Sequence, residues 1–274
     1  MLDSCGFSQP PMTASDHPHP MERSQRRAAP SPRPARYFHS VAAVALIALM
    51  VTGFQRFFFA GRAYPDRELT PAIRTLIILH GTAMSIWMLV FLAQSTLILS
   101  GKKRLHMRIG TIAAFLAAAI VVLGLKLGVE AARVKPPGTL VAGLDPKQFM
   151  AIPVINVLLF AGFVTAGVLY RRRPAVHRAM MLLGTVAALA AAMARIDALS
   201  DLYAGTVWER IWGPYFMTVL LVVLLFGFKC LFTRSFDRAY AIGGVVLALG
   251  FAANVQLATT SAWDSVAGAL LRWV

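Results

Sequence analysis

Four of the chain's six histidines lie in or beside long apolar stretches, and their positions sort them into two groups. His39, His106 and His177 each open such a stretch beside basic residues, so three imidazoles are expected at one depth on one face of a membrane. Imidazoles at one depth can hold a transition metal or a haem iron. The same residues, at helix N-termini with free N–H groups and arginine neighbours, also suit lipid phosphates. His80 is of another kind. It sits about eight residues, or roughly 12 Å, inside its stretch from the opposite face, which excludes a site shared by all four. It heads a row of His80, Met84, Trp87, Phe91 and Gln94 whose spacing of four and three residues is one helix face.

Other polar groups gather at the His80 end: Arg56, Lys126, Glu130, Asn156, Arg195, Asp197, Asn254 and Gln256. An ionisable residue inside a span costs about 2.5–3.5 kcal/mol on insertion scales, which makes each a functional hypothesis. His80, Arg56, Asn156, Arg195 and Asp197 are therefore expected to line an outward-facing polar pocket. His80 would carry a proton or donate to a ligand, and the arginines would attract an anion. Plainer readings stand beside this one. Arg56, Lys126 and Arg195 are near enough to the interface to snorkel, Lys126 and Glu130 make an i,i+4 pair, and His80 can be satisfied within a bundle.

The elements that must position these residues are apolar helices. The chain has 274 residues, 58% hydrophobic and only 14% charged, with mean hydropathy +0.65, whereas a soluble domain carries about a quarter charged residues. Stretches of about 20 apolar residues cross roughly 30 Å of hydrocarbon. Seven qualify: residues 38–60, 72–99, 108–130, 149–170, 177–198, 213–232 and 239–259. Thr70-Pro71, Asp145-Pro146 and Gly213-Pro214 place a proline where a helix can open without its N–H. The expected fold is an all-α, seven-helix transmembrane bundle over 38–259. A tail over 1–37, with seven prolines and no apolar run, reads as disordered and cytoplasmic, with Met1, Met12 and Met21 as alternative starts. Trp263, Val266, Leu270 and Trp273 suggest a short external interfacial helix over 260–274.

Charge gives the orientation. Sixteen of the 27 basic residues fall in the tail and in the loops at 100–108, 171–178 and 229–238, eight fall on the other side, and three lie within spans. By the positive-inside rule the N-terminus is cytoplasmic and the C-terminus external, in a plasma (inner) membrane. The net charge of +15 is then a topology signal with affinity for anionic headgroups at the cytoplasmic loops, and it requires no nucleic acid. Both cysteines, Cys5 and Cys230, fall on that reducing side.

Two basic loops look alike. Lys102-Lys103-Arg104-Leu105-His106-Met107-Arg108-Ile109-Gly110 precedes the third span, and Arg171-Arg172-Arg173-Pro174-Ala175-Val176-His177-Arg178, with Gly184 following, precedes the fifth. The His-to-Gly distances differ by three residues, near one helical turn, so both glycines would occupy a similar face in an internal repeat. Together with Gly53-Phe54-Gln55-Arg56-Phe57, His80-Gly81, Trp87, Gln94 and Arg195, these loops resemble a loose group of bacterial multi-pass membrane proteins of unassigned activity. The resemblance covers roughly residues 38–200 and implies a fold without an activity. More remotely, the helix-flanking histidines resemble those of cytochrome b-type membrane reductases, although no two helices here carry histidines at one mid-membrane depth.

Several chemistries are missing their residues. No lysine lies in the seventh span for a retinal Schiff base, and there is no Walker loop, His-Glu-x-x-His or Gly-x-Ser-x-Gly. Three functional readings stay open: a protein that binds or passes a small ligand in the outward-facing pocket, a haem- or metal-binding redox protein using His39, His106 and His177, and a scaffold or assembly subunit working with a protein partner.

Overall fold

The computed structural model describes residues 33–136 and 138–273, with side chains over 37–136 and 138–272, so most of the tail expected over 1–37 lies outside the described residues. The chain opens with α1 (Arg33–Gly53), breaks at Phe54, and continues as α2 (Gln55–Ala60), which Gly61 ends in the left-handed region (φ 64°). A two-residue hairpin follows, β1 (Arg62–Ala63) against β2 (Arg67–Glu68), with Arg62 opposite Glu68 and Ala63 opposite Arg67. A single 3₁₀ turn over Pro71–Ile73 leads into α3 (Arg74–Leu99), and α4 (Lys103–Arg133) returns.

Next come α5 (Pro146–Leu169), α6 (Pro174–Met193) and the short α7 (Asp197–Ser200) and α8 (Val207–Trp212). The chain closes with α9 (Phe216–Thr233), α10 (Arg238–Leu257) and α11 (Ser261–Trp273). The proline-marked start of α5 works as its sequence suggests. The Asp145 carboxylate accepts from Lys147 N at 2.8 Å and Gln148 N at 2.9 Å, and the Gln148 side chain accepts in return from Asp145 N at 3.2 Å.

Among the described residues, six helices are long and apolar enough to cross a membrane: Pro71–Leu99, Lys103–Arg133, Pro146–Leu169, Pro174–Met193, Val207–Thr233 and Arg238–Leu257. Their outer faces are apolar too. Phe115, Ile112, Leu249 and Leu231 are all exposed, a surface suited to lipid rather than water. The chain is thus an all-helical membrane bundle. Its first apolar helix, Tyr37–Gly53, is shorter than these six.

At the centre stands α6. Its run of Ala179, Leu182, Leu183, Val186, Ala187, Leu189 and Ala190 is apolar all round and largely small, so neighbours approach on several sides. At Gly53 the approach is so close that a Cβ would fall onto the Ala192 carbonyl. Trp87 donates its indole N–H to the Thr185 hydroxyl at 3.3 Å and meets Phe160 edge-on, which ties α3 and α5 to the same core.

Two sequence boundaries need correction. The fifth stretch, read as 177–198, ends as a helix at Met193. Arg195 therefore lies in the following turn, and Asp197 opens α7. Lys229, counted with a basic loop, lies inside α9 and is only 5% exposed.

Candidate functional site

The break at Phe54 and the end of α6 at Met193 bring two arginines, Arg56 and Arg195, near Tyr64 at the non-basic end of the bundle. Both act on the Tyr64 phenol, and Asp197 lies beside Arg56. It accepts a 2.5 Å hydrogen bond from the Tyr64 hydroxyl, and the Arg56 guanidinium stands 4.0 Å away. Arg56 also lies 5.9 Å from the centroid of the Tyr64 ring. The carboxylate that accepts its hydroxyl raises the Tyr64 phenol above its ordinary value.

Arg195 is half-buried and stacks over the Phe54 ring at 4.9 Å. It donates to the Ala191 carbonyl, and among the described residues no carboxylate pairs with it. Two further cations stand beyond Tyr64. Arg67 donates to the Tyr64 carbonyl from Nε at 3.4 Å and from a terminal nitrogen at 3.1 Å. Lys135 lies over Phe149 at 4.7 Å; burial pushes its ammonium below the ordinary value, and Arg67 nearby adds to that.

Three of the five pocket residues expected from sequence, Arg56, Arg195 and Asp197, are thus brought together around a fourth, Tyr64, that the sequence did not single out. No hydrogen bond or ion pair among the described residues ties His80 or Asn156 to this group. His80 packs between helices instead. A Cβ on Gly124 would meet its Cε1 at 3.0 Å and a Val157 methyl at 2.8 Å. The His80 Nδ1 and the Asn156 Oδ1 are both buried without a hydrogen-bond partner. The expected Lys126–Glu130 pair is replaced by Arg133–Glu130 at 3.7 Å.

A second polar node lies beside Pro153 and joins Asn254, singled out in the sequence, to Tyr215, which was not. The Ile152 carbonyl accepts from the Tyr215 hydroxyl at 2.7 Å and from Asn254 Nδ2 at 3.2 Å, and Asn254 also donates to the Tyr215 oxygen at 2.7 Å. Pro153 follows the accepting residue; its missing N–H leaves the Phe149 carbonyl, one turn earlier, without its ladder donor. On the same side of the bundle, α11 is fixed by Trp263, whose indole donates to the Lys147 carbonyl at 2.8 Å, and by Lys147 paired with Asp264 at 3.5 Å.

At the basic end, His106 and His177 meet with ring centroids 6.2 Å apart and planes at 88°. Each turns Nδ1 toward a carbonyl of the preceding helix: Gln94 at 3.4 Å, a long contact, and Gly167 at 2.8 Å. A carbonyl only accepts, so each Nδ1 that bonds it donates its N–H. The two glycines of the matching loops also share a setting. Gly110 faces Gln94 of α3, and Gly184 faces Phe163 and Val164 of α5.

His39 does not join this pair as a third ligand. Among the described residues, no three His, Cys, Asp or Glu side chains come together as a metal shell. The His39 Nε2 is buried without a partner, and its charged neighbours are Lys229, Arg178 and Asp237. Lys229 and Asp237 themselves pair at 2.5 Å, with Lys229 5.3 Å over the Tyr240 ring and Asp237 capping Tyr240 N at 3.0 Å. Partial burial alone would raise the Asp237 carboxyl, but the ammonium and the capped N–H groups outweigh it and hold it below its ordinary value. The chain matches no family model, no curated protein and no solved structure.

Proposed function

We propose that the chain is a seven-span membrane protein that binds or passes a small anion at the Arg56–Tyr64–Arg195–Asp197 site. The seventh span in this reading is the apolar helix Tyr37–Gly53 of α1, about 26 Å long at 1.5 Å per residue and at the short end of what crosses a bilayer. The basic ends of α1, α4, α6 and α10 then lie on the cytoplasmic side, and the arginine site faces outward.

The observation that carries the ligand class is Arg195. Asp197 is already shared between Arg56 and Tyr64, so the site holds two guanidinium groups and one carboxylate. A half-buried cation with only an aromatic face and one carbonyl for partners favours an incoming anion. A planar guanidinium would take a carboxylate or phosphate oxygen pair side-on. Tyr64 fixes Asp197 and so keeps that carboxylate from folding onto Arg195.

Thermal unfolding of the purified full-length protein, with acetate, succinate, phosphate and sulfate in turn, tests this. A ligand at a hundred times its Kd stabilises by about 2.7 kcal/mol, so one of these anions should raise Tm by several degrees. R195Q should remove that shift while leaving the ligand-free Tm near the wild-type value. An unchanged Tm across the series, or an equal shift in R195Q, would refute the reading.

A further inference from the structure

A groove of about 470 Å³ lies between α5, α6 and α10. Its walls run from Leu158 to Ala166 on α5, from Val176 to Met180 on α6, and from Ala239 to Val246 on α10, and every lining side chain is apolar. Val176 and Ala239 stand in the first turns of their helices, so the groove begins at the basic end of the bundle. The eight residues from Ala166 to Leu158 carry it about 12 Å inward. That is close to half of a hydrocarbon layer roughly 30 Å thick. A partner transmembrane helix would need the full thickness, whereas one acyl chain of one leaflet needs about this depth.

The groove mouth is cationic. Arg172 and Arg173 precede α6, Arg178 lies on its first turns, and Arg238 opens α10; all four are exposed. Arg173 lies over the Tyr170 ring at 5.7 Å and Arg178 donates to the Pro174 carbonyl at 3.1 Å. Among the described residues, Asp237 is the one acid at this end, and buried Lys229 already neutralises it. Among the described residues these arginines pair with no carboxylate.

We propose that this groove holds an acyl chain of an anionic phospholipid whose phosphate is met by the arginines at its mouth. The site rests on the membrane-spanning helices and not on the outward anion site. Gly162 makes it open to test. A Cβ there would meet nothing within 4 Å, so a larger side chain can enter the groove without displacing a packed atom. Gly243, in the opposite wall, is crowded by Leu183 and Met180.

Native mass spectrometry of the detergent-purified full-length protein, titrated with phosphatidylglycerol and with phosphatidylcholine of the same chains, reads the site directly. The wild type should retain phosphatidylglycerol about tenfold more tightly. G162L should lose most of that adduct with its Tm unchanged. R173Q/R178Q/R238Q should bind the two lipids equally, and R195Q should keep the wild-type preference. Equal retention of the two lipids by the wild type would overturn the proposal, as would an undiminished adduct in G162L. Displacement of the lipid by millimolar inorganic phosphate would assign the arginines to a free anion instead. A wild-type dimer that G162L dissolves would assign the groove to a second protein helix.

Discussion

Lys229 and Asp237 make the most enclosed ion pair in the described chain, with side chains 7% and 16% exposed. Removing one partner of such a pair leaves an uncompensated charge, at about 3–5 kcal/mol. K229M should therefore lower stability by that order, while K229M/D237N should recover much of the loss, as chemical denaturation of the three proteins would measure. The carboxyl of Asp237 is held below its ordinary value of 3.8. A group depressed in this way contributes stability that is fully present above the ordinary value and lost as the pH falls through the folded value. The wild-type Tm should accordingly drop as the pH falls below about 4, and D237N should flatten that part of the profile. From sequence Lys229 looked like one more loop cation, because a lysine near a helix end can snorkel; its carboxylate partner eight positions on was the available clue. Tyr64 gave no such clue. It sits between two-residue strands, where no periodicity marks a side chain as inward or outward. Arg56, Arg195 and Asp197 were readable as candidates because charge next to an apolar stretch is rare, but their meeting depends on how α1 packs against α6.

Helix α6 sets the geometry for the other elements. A Cβ on Gly53 would fall onto the Ala192 backbone, and a backbone carbonyl cannot turn aside as a side chain can. G53L should therefore lower stability by at least the 1–3 kcal/mol typical of overpacking and should also disturb the placing of Arg56 beside Asp197 and of Arg195 over Phe54; a Tm measurement with the anion titration repeated would register both. The apolar stretches themselves were plain in the sequence, since twenty uncharged residues leave few alternatives. Their ends were harder. Ala190, Ala191, Ala192, Met193 and Ala194 contain no glycine or proline to stop a helix, so the fifth stretch read through to 198. In the folded chain it gives way to an extended Ile196 (ψ 94°) and a new helix at Asp197. The two histidine loops were recognised as alike by their residues. What the folded chain adds is the shared device, a ring nitrogen at the start of the returning helix facing a carbonyl of the outgoing one.

For the whole molecule, the seven-span, cytoplasmic N-terminus reading makes a prediction about sides. Tyr37 and Ser100 should lie on the cytoplasmic face and Ser265 outside; all three are exposed. In a C5S/C230S background on intact cells, an impermeant maleimide should label S265C at once, and Y37C and S100C only after lysis. Labelling of Y37C in intact cells with S100C still protected would mean that α1 does not cross. The six long apolar helices were visible without coordinates because they follow from the energetics of hydrocarbon. Which stretch would become the centre was not, since every apolar helix looks equally fit to face lipid.

That central position has a consequence for how the protein is made. The α6 span has the lowest mean hydropathy of the six, 1.5, yet 61% of its apolar window is buried, against 22–33% for the others. Lipid alone would hold it least well and its neighbours hold it best. The helices that enclose α6 lie on both sides of it in the sequence: α1, α3 and α5 come before it, and α9 and α10 after. The least apolar span is thus the one whose burial is completed only by parts of the chain that follow it.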